Sequence, residues 1–148
     1  MKVASGQWPV ASWKSDRSGQ WARGQLKVKL RDYTELVAWQ KAMDFVEAVY
    51  QASKTFPKDE LFGLTSQVRR AAVSIPSNIA EGQSRRSSRE FLQFLSIARG
   101  SLSEVETQLV ISKRLNYLSR EQLTNLQHKS TELGRVIHGL TNAIQKRA

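Results

Sequence analysis

No cysteine occurs among the 148 residues, which excludes a disulfide framework, a thiol nucleophile and any cysteine-ligated metal. Histidine is nearly as scarce, with only His128 and His138. Ten residues of helix is about 1,000° of turn, so the two rings point some 80° apart and lie roughly 15 Å apart along the axis. They cannot share a metal. The Glu-x-x-His spacing of bundle di-metal sites is also missing, because Asn125 and Arg135 stand three before each histidine. There is no G-x-x-x-x-G-K-S/T loop, no G-x-G-x-x-G after a strand and no G-x-S-x-G elbow. The expectation is a protein without enzyme activity and without cofactors. No apolar run approaches the roughly 18 residues of a membrane span, and no uninterrupted apolar region near the N-terminus marks a signal peptide. A cytoplasmic location with no membrane partner follows as the working expectation.

Acidic residues are few beside basic ones: 13 Asp plus Glu against 23 Lys plus Arg, a net charge of +10. Such a surface attracts polyanions, and phosphate contacts with counterion release convert that attraction into affinity. The charge is uneven. Positions 1–31 hold Lys2, Lys14, Arg17, Arg23, Lys27, Lys29 and Arg31 against Asp16 alone, leaving sixteen bases and twelve acids for the remainder. Gly6, Pro9, Gly19 and Gly24 interrupt this stretch, and no helical stripe survives more than a turn. It reads as a basic, disordered N-terminal extension. Trp8, Trp13 and Trp21 interleave with its charges and could stack on unpaired bases, although nothing in the sequence positions them.

Positions 32–148 read as one domain of four helices. The first is expected to begin at Asp32, where Asp32 and Glu35 have the form of a capping box, and to end near Pro57. Its apolar residues form two adjacent seams, Leu36–Trp39–Met43–Val46–Tyr50 and Ala38–Ala42–Phe45–Val49. Acids Asp59 and Glu60 suit the start of the second helix, expected over 65–81, with Pro76 bending it and Gly82 as its stop. Ser87 and Glu90 open the third, Asn116 ends it, and Ser119 with Gln122 opens the fourth. Short connections between four amphipathic helices point to an all-α, antiparallel, up-and-down bundle.

Three blocks carry a resemblance: DYTELVAWQKAM (Asp32 to Met43), FGLTSQVRRAAVSIPSNIAEG (Phe62 to Gly82) and REFLQFLSIARGSLSEVETQL (Arg89 to Leu109). In these the chain resembles the four-helix-bundle proteins encoded in 23S rRNA intervening sequences, often labelled the S23 ribosomal protein family. It is more distantly similar to the accessory protein of diversity-generating retroelements. The resemblance implies a ring-like homo-oligomer, a homopentamer, and points to nucleic acid and a reverse transcriptase as partners.

Two polar stripes accompany the apolar seams. Gln67, Arg70, Ser74, Ser77, Asn78 and Glu81 recur at steps of three and four on the second helix, and Ser101, Glu104 and Gln108 on the third. Rows of small amides and hydroxyls suit helix–helix contact better than open water. Gln67, Arg70, Ser74, Asn78, Glu81, Ser101 and Glu104 are therefore assigned to an oligomer interface, with Arg70 expected opposite Glu104 within or between subunits. Nucleic-acid contacts are assigned to Arg85, Arg86 and Arg89 at the turn into the third helix, to Arg69, and to Lys113, Arg114 and Arg120 at that helix's other end. Arginine suits this role because its planar fork meets a phosphate bidentately. The expected function is RNA binding through phosphates by an oligomeric protein; the alternative is a scaffold that docks a reverse transcriptase.

Overall fold

Asp32 caps a single turn. Its Oδ1 accepts from the Thr34 amide at 3.3 Å, and a 3-10 turn follows at Tyr33–Glu35. Leu36 is extended, and α1 (Val37–Ser53) begins after it with no side-chain cap. The expected start of the first helix at Asp32 is thus corrected. Gln40 Nε2 donates to the Thr34 carbonyl at 2.9 Å, and the Tyr33 ring meets Trp39 edge-on at 5.5 Å. Both contacts hold the turn folded against α1. The computed structural model describes residues 32–148; the expectations for 1–31 fall outside them.

A second 3-10 turn, Lys58–Glu60, leads to α2 (Leu64–Gln83). Glu60 Oε2 accepts from the Leu64 amide at 2.8 Å, an acid satisfying an orphan donor at a helix start. The α2 helix runs through Pro76 and past Gly82, which overturns the expected stop at that glycine. Gly82 is buried, and a Cβ there would lie 2.6 Å from Phe94 Cβ and 2.8 Å from Phe91 Cδ2. This glycine is a point of close approach between helices.

The α3 helix (Ser88–Arg114) is capped by Ser87, whose Oγ accepts from the Glu90 amide at 3.2 Å. It ends where Asn116 takes φ 61°. Tyr117 N–H reaches the Ser112 carbonyl at 2.8 Å and Asn116 N–H the Lys113 carbonyl at 3.0 Å, the paired bonds of a Schellman end. The α4 helix (Arg120–Gln145) opens with a complete capping box from Ser119 and Gln122.

All four helices supply the core. Phe45, Ile75, Ile79, Leu95, Leu109, Leu133 and Ile137 are fully buried. Of the two α1 seams, Ala38–Ala42–Phe45–Val49 faces inward, while Leu36, Trp39 and Val46 pack at its edge. Each helix touches two neighbours, α1 with α2 and α4, α3 with α2 and α4, the α2–α3 contact being the most extensive. The protein is an all-α four-helix bundle with no strand among the described residues.

Candidate nucleic-acid interface

The α2–α3 turn is built by the tight contact at Gly82. Beyond it Ser84 Oγ donates to the Glu81 carbonyl at 2.8 Å, and Arg85 Nη2 meets Glu81 Oε1 at 2.6 Å. The Arg85 guanidinium also lies over the Phe94 ring, 4.9 Å from its centroid. Arg85 is therefore held in place and its charge is balanced. Arg86 and Arg89 are exposed and make no ion pair among the described residues. They flank the first turn of α3, where unpaired amides and the helix dipole favour an anion. Ser87 Oγ points its proton at Glu90 Oε2, 2.8 Å away, so this hydroxyl is occupied.

Arg69 does not join that turn. Its Nε donates to Ser53 Oγ at 2.8 Å and its guanidinium stacks 4.8 Å from the Tyr50 centroid. It sits one turn into α2, the end tied to the α3–α4 connection by two contacts. Tyr117 OH donates to Glu60 Oε1 at 3.2 Å, and the Phe56 and Tyr117 rings meet at 5.6 Å. Burial, then this bond to the carboxylate, push the Tyr117 phenol above its ordinary value. Arg69 thus belongs with half-buried Lys113 and exposed Arg114 and Arg120. The two cationic groups stand at opposite ends of α3, about 40 Å apart for a helix of 27 residues.

The polar stripes meet inside the chain through hydroxyls. Ser74 Oγ and Ser101 Oγ are 2.9 Å apart, and Asn78 Nδ2 donates to both the Ser74 carbonyl (2.7 Å) and Ser74 Oγ (2.9 Å). Arg70 and Glu104 form no ion pair within the chain. Glu104 instead accepts from Gln108 Nε2 at 3.2 Å, and Gln67, Arg70, Glu81 and Glu104 are exposed. Gln108 is 6 % exposed, yet its Oε1 has no hydrogen-bond partner among the described residues.

The family model for 23S rRNA-intervening sequence proteins matches residues 34–139. The chain belongs to that family. A solved structure from Bacteroides thetaiotaomicron VPI-5482, a protein with unknown function from the S23 ribosomal protein family, is similar at 26 % identity with a TM-score of 0.66. The likeness covers 71 % of this chain and 98 % of that one. No curated protein matches the chain. Within this intervening-sequence protein the matched stretch contains both cationic groups, whereas Trp8, Trp13 and Trp21 precede it.

Neither histidine joins a cluster: His128 and His138 are both exposed on α4, with His138 Nε2 3.1 Å from Asn142 Nδ2. Among the described residues no helix is long and apolar enough to cross a membrane. One feature escaped the reading of the sequence. Leu61 and Phe62 lie in the turn before α2 and are 53 % and 94 % exposed. The available signal was an apolar pair in a loop, outside every helical seam.

Proposed function

We propose that this protein binds nucleic acid, preferring structured RNA, through phosphate contacts and without catalysing a reaction. One observation carries the reading. Of the sixteen lysines and arginines at positions 32–148, only Lys41 and Arg85 have a carboxylate partner there, at 2.6 Å each. Arg69 is engaged by Ser53 and Tyr50; the exposed cations among the others are available to phosphate, and Arg86 and Arg89 stand beside the amides of a helix start. The family's name, which ties it to 23S rRNA, favours RNA over DNA.

The active form in this reading is a ring-like homo-oligomer of antiparallel, up-and-down bundles. Antiparallel order is supported by the Glu60–Tyr117 bond at one end of α2–α3, Ser74–Ser101 in the middle and Gly82 against Phe91 and Phe94 at the other. Association is supported by exposed Val73, Ile97, Val110 and Ile111 beside the exposed polar residues of the stripes. A ring repeats each cationic group once per subunit, so weak contacts become avid.

The test is binding to a structured RNA over a salt series. With three phosphates neutralised per subunit, log K should fall against log salt with a slope of about −2 to −3. That is roughly a 16- to 64-fold loss between about 50 and about 200 mM salt. Changing Arg86 and Arg89 to Ala should flatten the slope by about 1.4 to 1.8. A wild-type affinity that ignores salt would refute the reading. A second reading, docking of a protein such as a reverse transcriptase on the exposed Ile97, Val110 and Ile111 of α3, is favoured instead if a partner stays bound after nuclease treatment.

A further inference from the structure

Nine aromatic side chains lie at positions 32–148, and eight of them are in use. Tyr33 and Trp39 pair with each other, as do Phe56 and Tyr117. Tyr50 and Phe94 each carry a guanidinium, from Arg69 and Arg85. Phe45 is in the core and Phe91 packs against it. Phe62 alone is left, 94 % exposed at a loop tip. A phenyl ring so placed forgoes nearly all the burial that normally fixes an aromatic residue in a fold.

Its surroundings narrow what could cover it. The Glu60–Tyr117 bond draws the turn before α2 against the α3–α4 connection. Leu61, 53 % exposed, and Leu115, 49 % exposed, therefore lie at the same end of the bundle as Phe62. Exposed Lys54, Lys58, Arg114 and Arg120 stand in the same two connections, against exposed Asp59 and Glu121. Glu60 is occupied by the Leu64 amide and the Tyr117 hydroxyl. An apolar ring among an excess of cations is complementary to a ligand with flat apolar faces on an anionic chain. Unpaired nucleotides have that chemistry, because base faces are hidden by their neighbours within a duplex and open only in loops, bulges and ends.

We infer that Phe62 is a stacking platform for an unpaired base, with Arg114, Arg120 and Lys58 taking the flanking phosphates, so that this end of the bundle selects single-stranded over double-stranded segments. The inference rests on the nucleic-acid reading above and adds the class of ligand. Arg86 and Arg89, at the far end of α3, supply attraction blind to pairing; Phe62 supplies the discrimination.

The experiment uses the full chain and two RNAs of the same stem, one with a single-stranded loop carrying 2-aminopurine and one closed as a continuous duplex. Wild type should bind the looped RNA more tightly and change the 2-aminopurine fluorescence. Phe62→Ala should weaken looped-RNA binding about fivefold or more, the alanine effect of one lost base stack, and leave duplex binding unchanged. Phe62→Tyr should restore the loop preference and Phe62→Leu should not, which separates stacking from plain hydrophobic contact. Among the described residues Phe62 makes no aromatic contact and no core packing, so none of these variants should unfold the bundle. Salt-dependent binding of both RNAs that is indifferent to Phe62→Ala would overturn this inference alone. Failure of wild type to bind either RNA would sink it together with the reading beneath it. A fall in mass by light scattering on Phe62→Ala would also overturn it, since the ring would then belong to a contact between copies.

Discussion

Gly82→Ala isolates the contact that shapes the α2–α3 turn. The new methyl would sit 2.6 Å from Phe94 Cβ and 2.8 Å from Phe91 Cδ2. Carbon atoms pack at about 3.5–4.0 Å, so the first approach is about 1 Å too close. Phe94 Cβ is bonded to the α3 backbone and cannot swing aside, so the two helices must separate. Overpacking of this kind costs about 1–3 kcal/mol. Replacing a helical glycine by alanine works the other way, by about 0.5–1 kcal/mol.

Gly139→Ala separates these opposed effects. Gly139 lies within α4 and a Cβ there would meet nothing within 4 Å, so this variant should gain the helix term alone. Gly82→Ala should then be less stable than Gly139→Ala by about 1–3 kcal/mol. That corresponds to about 4–12 °C in Tm for a domain near this size. Urea and thermal unfolding followed by helical circular dichroism, at one fixed protein concentration, measure the difference. Equal stabilisation of both variants would refute the reading of Gly82 as a point of close approach.

Two further perturbations test the local chemistry. Asn116 holds φ 61°, so Asn116→Ala should lose about 1 kcal/mol and Asn116→Gly should lose little or none; thermal melts of the two variants decide it. At the opposite flank, Lys41 Nζ donates to Glu132 Oε1 at 2.6 Å and its bond and charge hold the Glu132 carboxyl below its ordinary value. A lowered carboxyl stabilises the fold above its unfolded-state value and loses that contribution as pH falls through the folded one. Lys41→Met should therefore cost stability at neutral pH, and the difference from wild type should close in acid. Urea midpoints that differ equally at pH 7 and pH 3 would contradict this account.

Helix number and most helix ends were legible because they depend on near neighbours. The Ser119–Gln122 box and the left-handed Asn116 are signals complete within a few residues, and they appear in the structure as such. Gly82 was misread for a physical reason. A glycine near a helix end serves equally as a stop or as room for another helix, and only the position of Phe91 and Phe94 decides. Asp32 does cap, but Leu36 turns extended and cuts the first turn away from α1. Arg69 lies near the start of α2 and Arg85 just beyond its end, sixteen residues that place them about 24 Å apart. The two ends of the third helix were legible as separate cationic groups, and only Arg69 needed Glu60 against Tyr117 to be placed with one of them.

The polar stripe on α2 is divided by its own hydrogen bonds. Pro76 offers no N–H to the Ala72 carbonyl four residues back. Beyond it Ser77 Oγ donates to the Val73 carbonyl at 2.8 Å and Asn78 Nδ2 to the Ser74 carbonyl at 2.7 Å, the same back-bonding to the preceding turn that Thr107, Thr124 and Thr141 make. Asn78 also donates to Ser74 Oγ, which shares a second hydrogen bond with Ser101 Oγ on α3. Ser74, Asn78 and Ser101 are thus hydrogen-bonded to one another inside the chain. What α2 and α3 still present outward from the stripes is Gln67, Arg70, Ser77, Glu81 and Glu104, the last two already holding Arg85 and Gln108. Arg70 is therefore the one outward charge of the stripes with no partner among the described residues, and any neighbour that covers this face has to supply a carboxylate or leave the guanidinium in water.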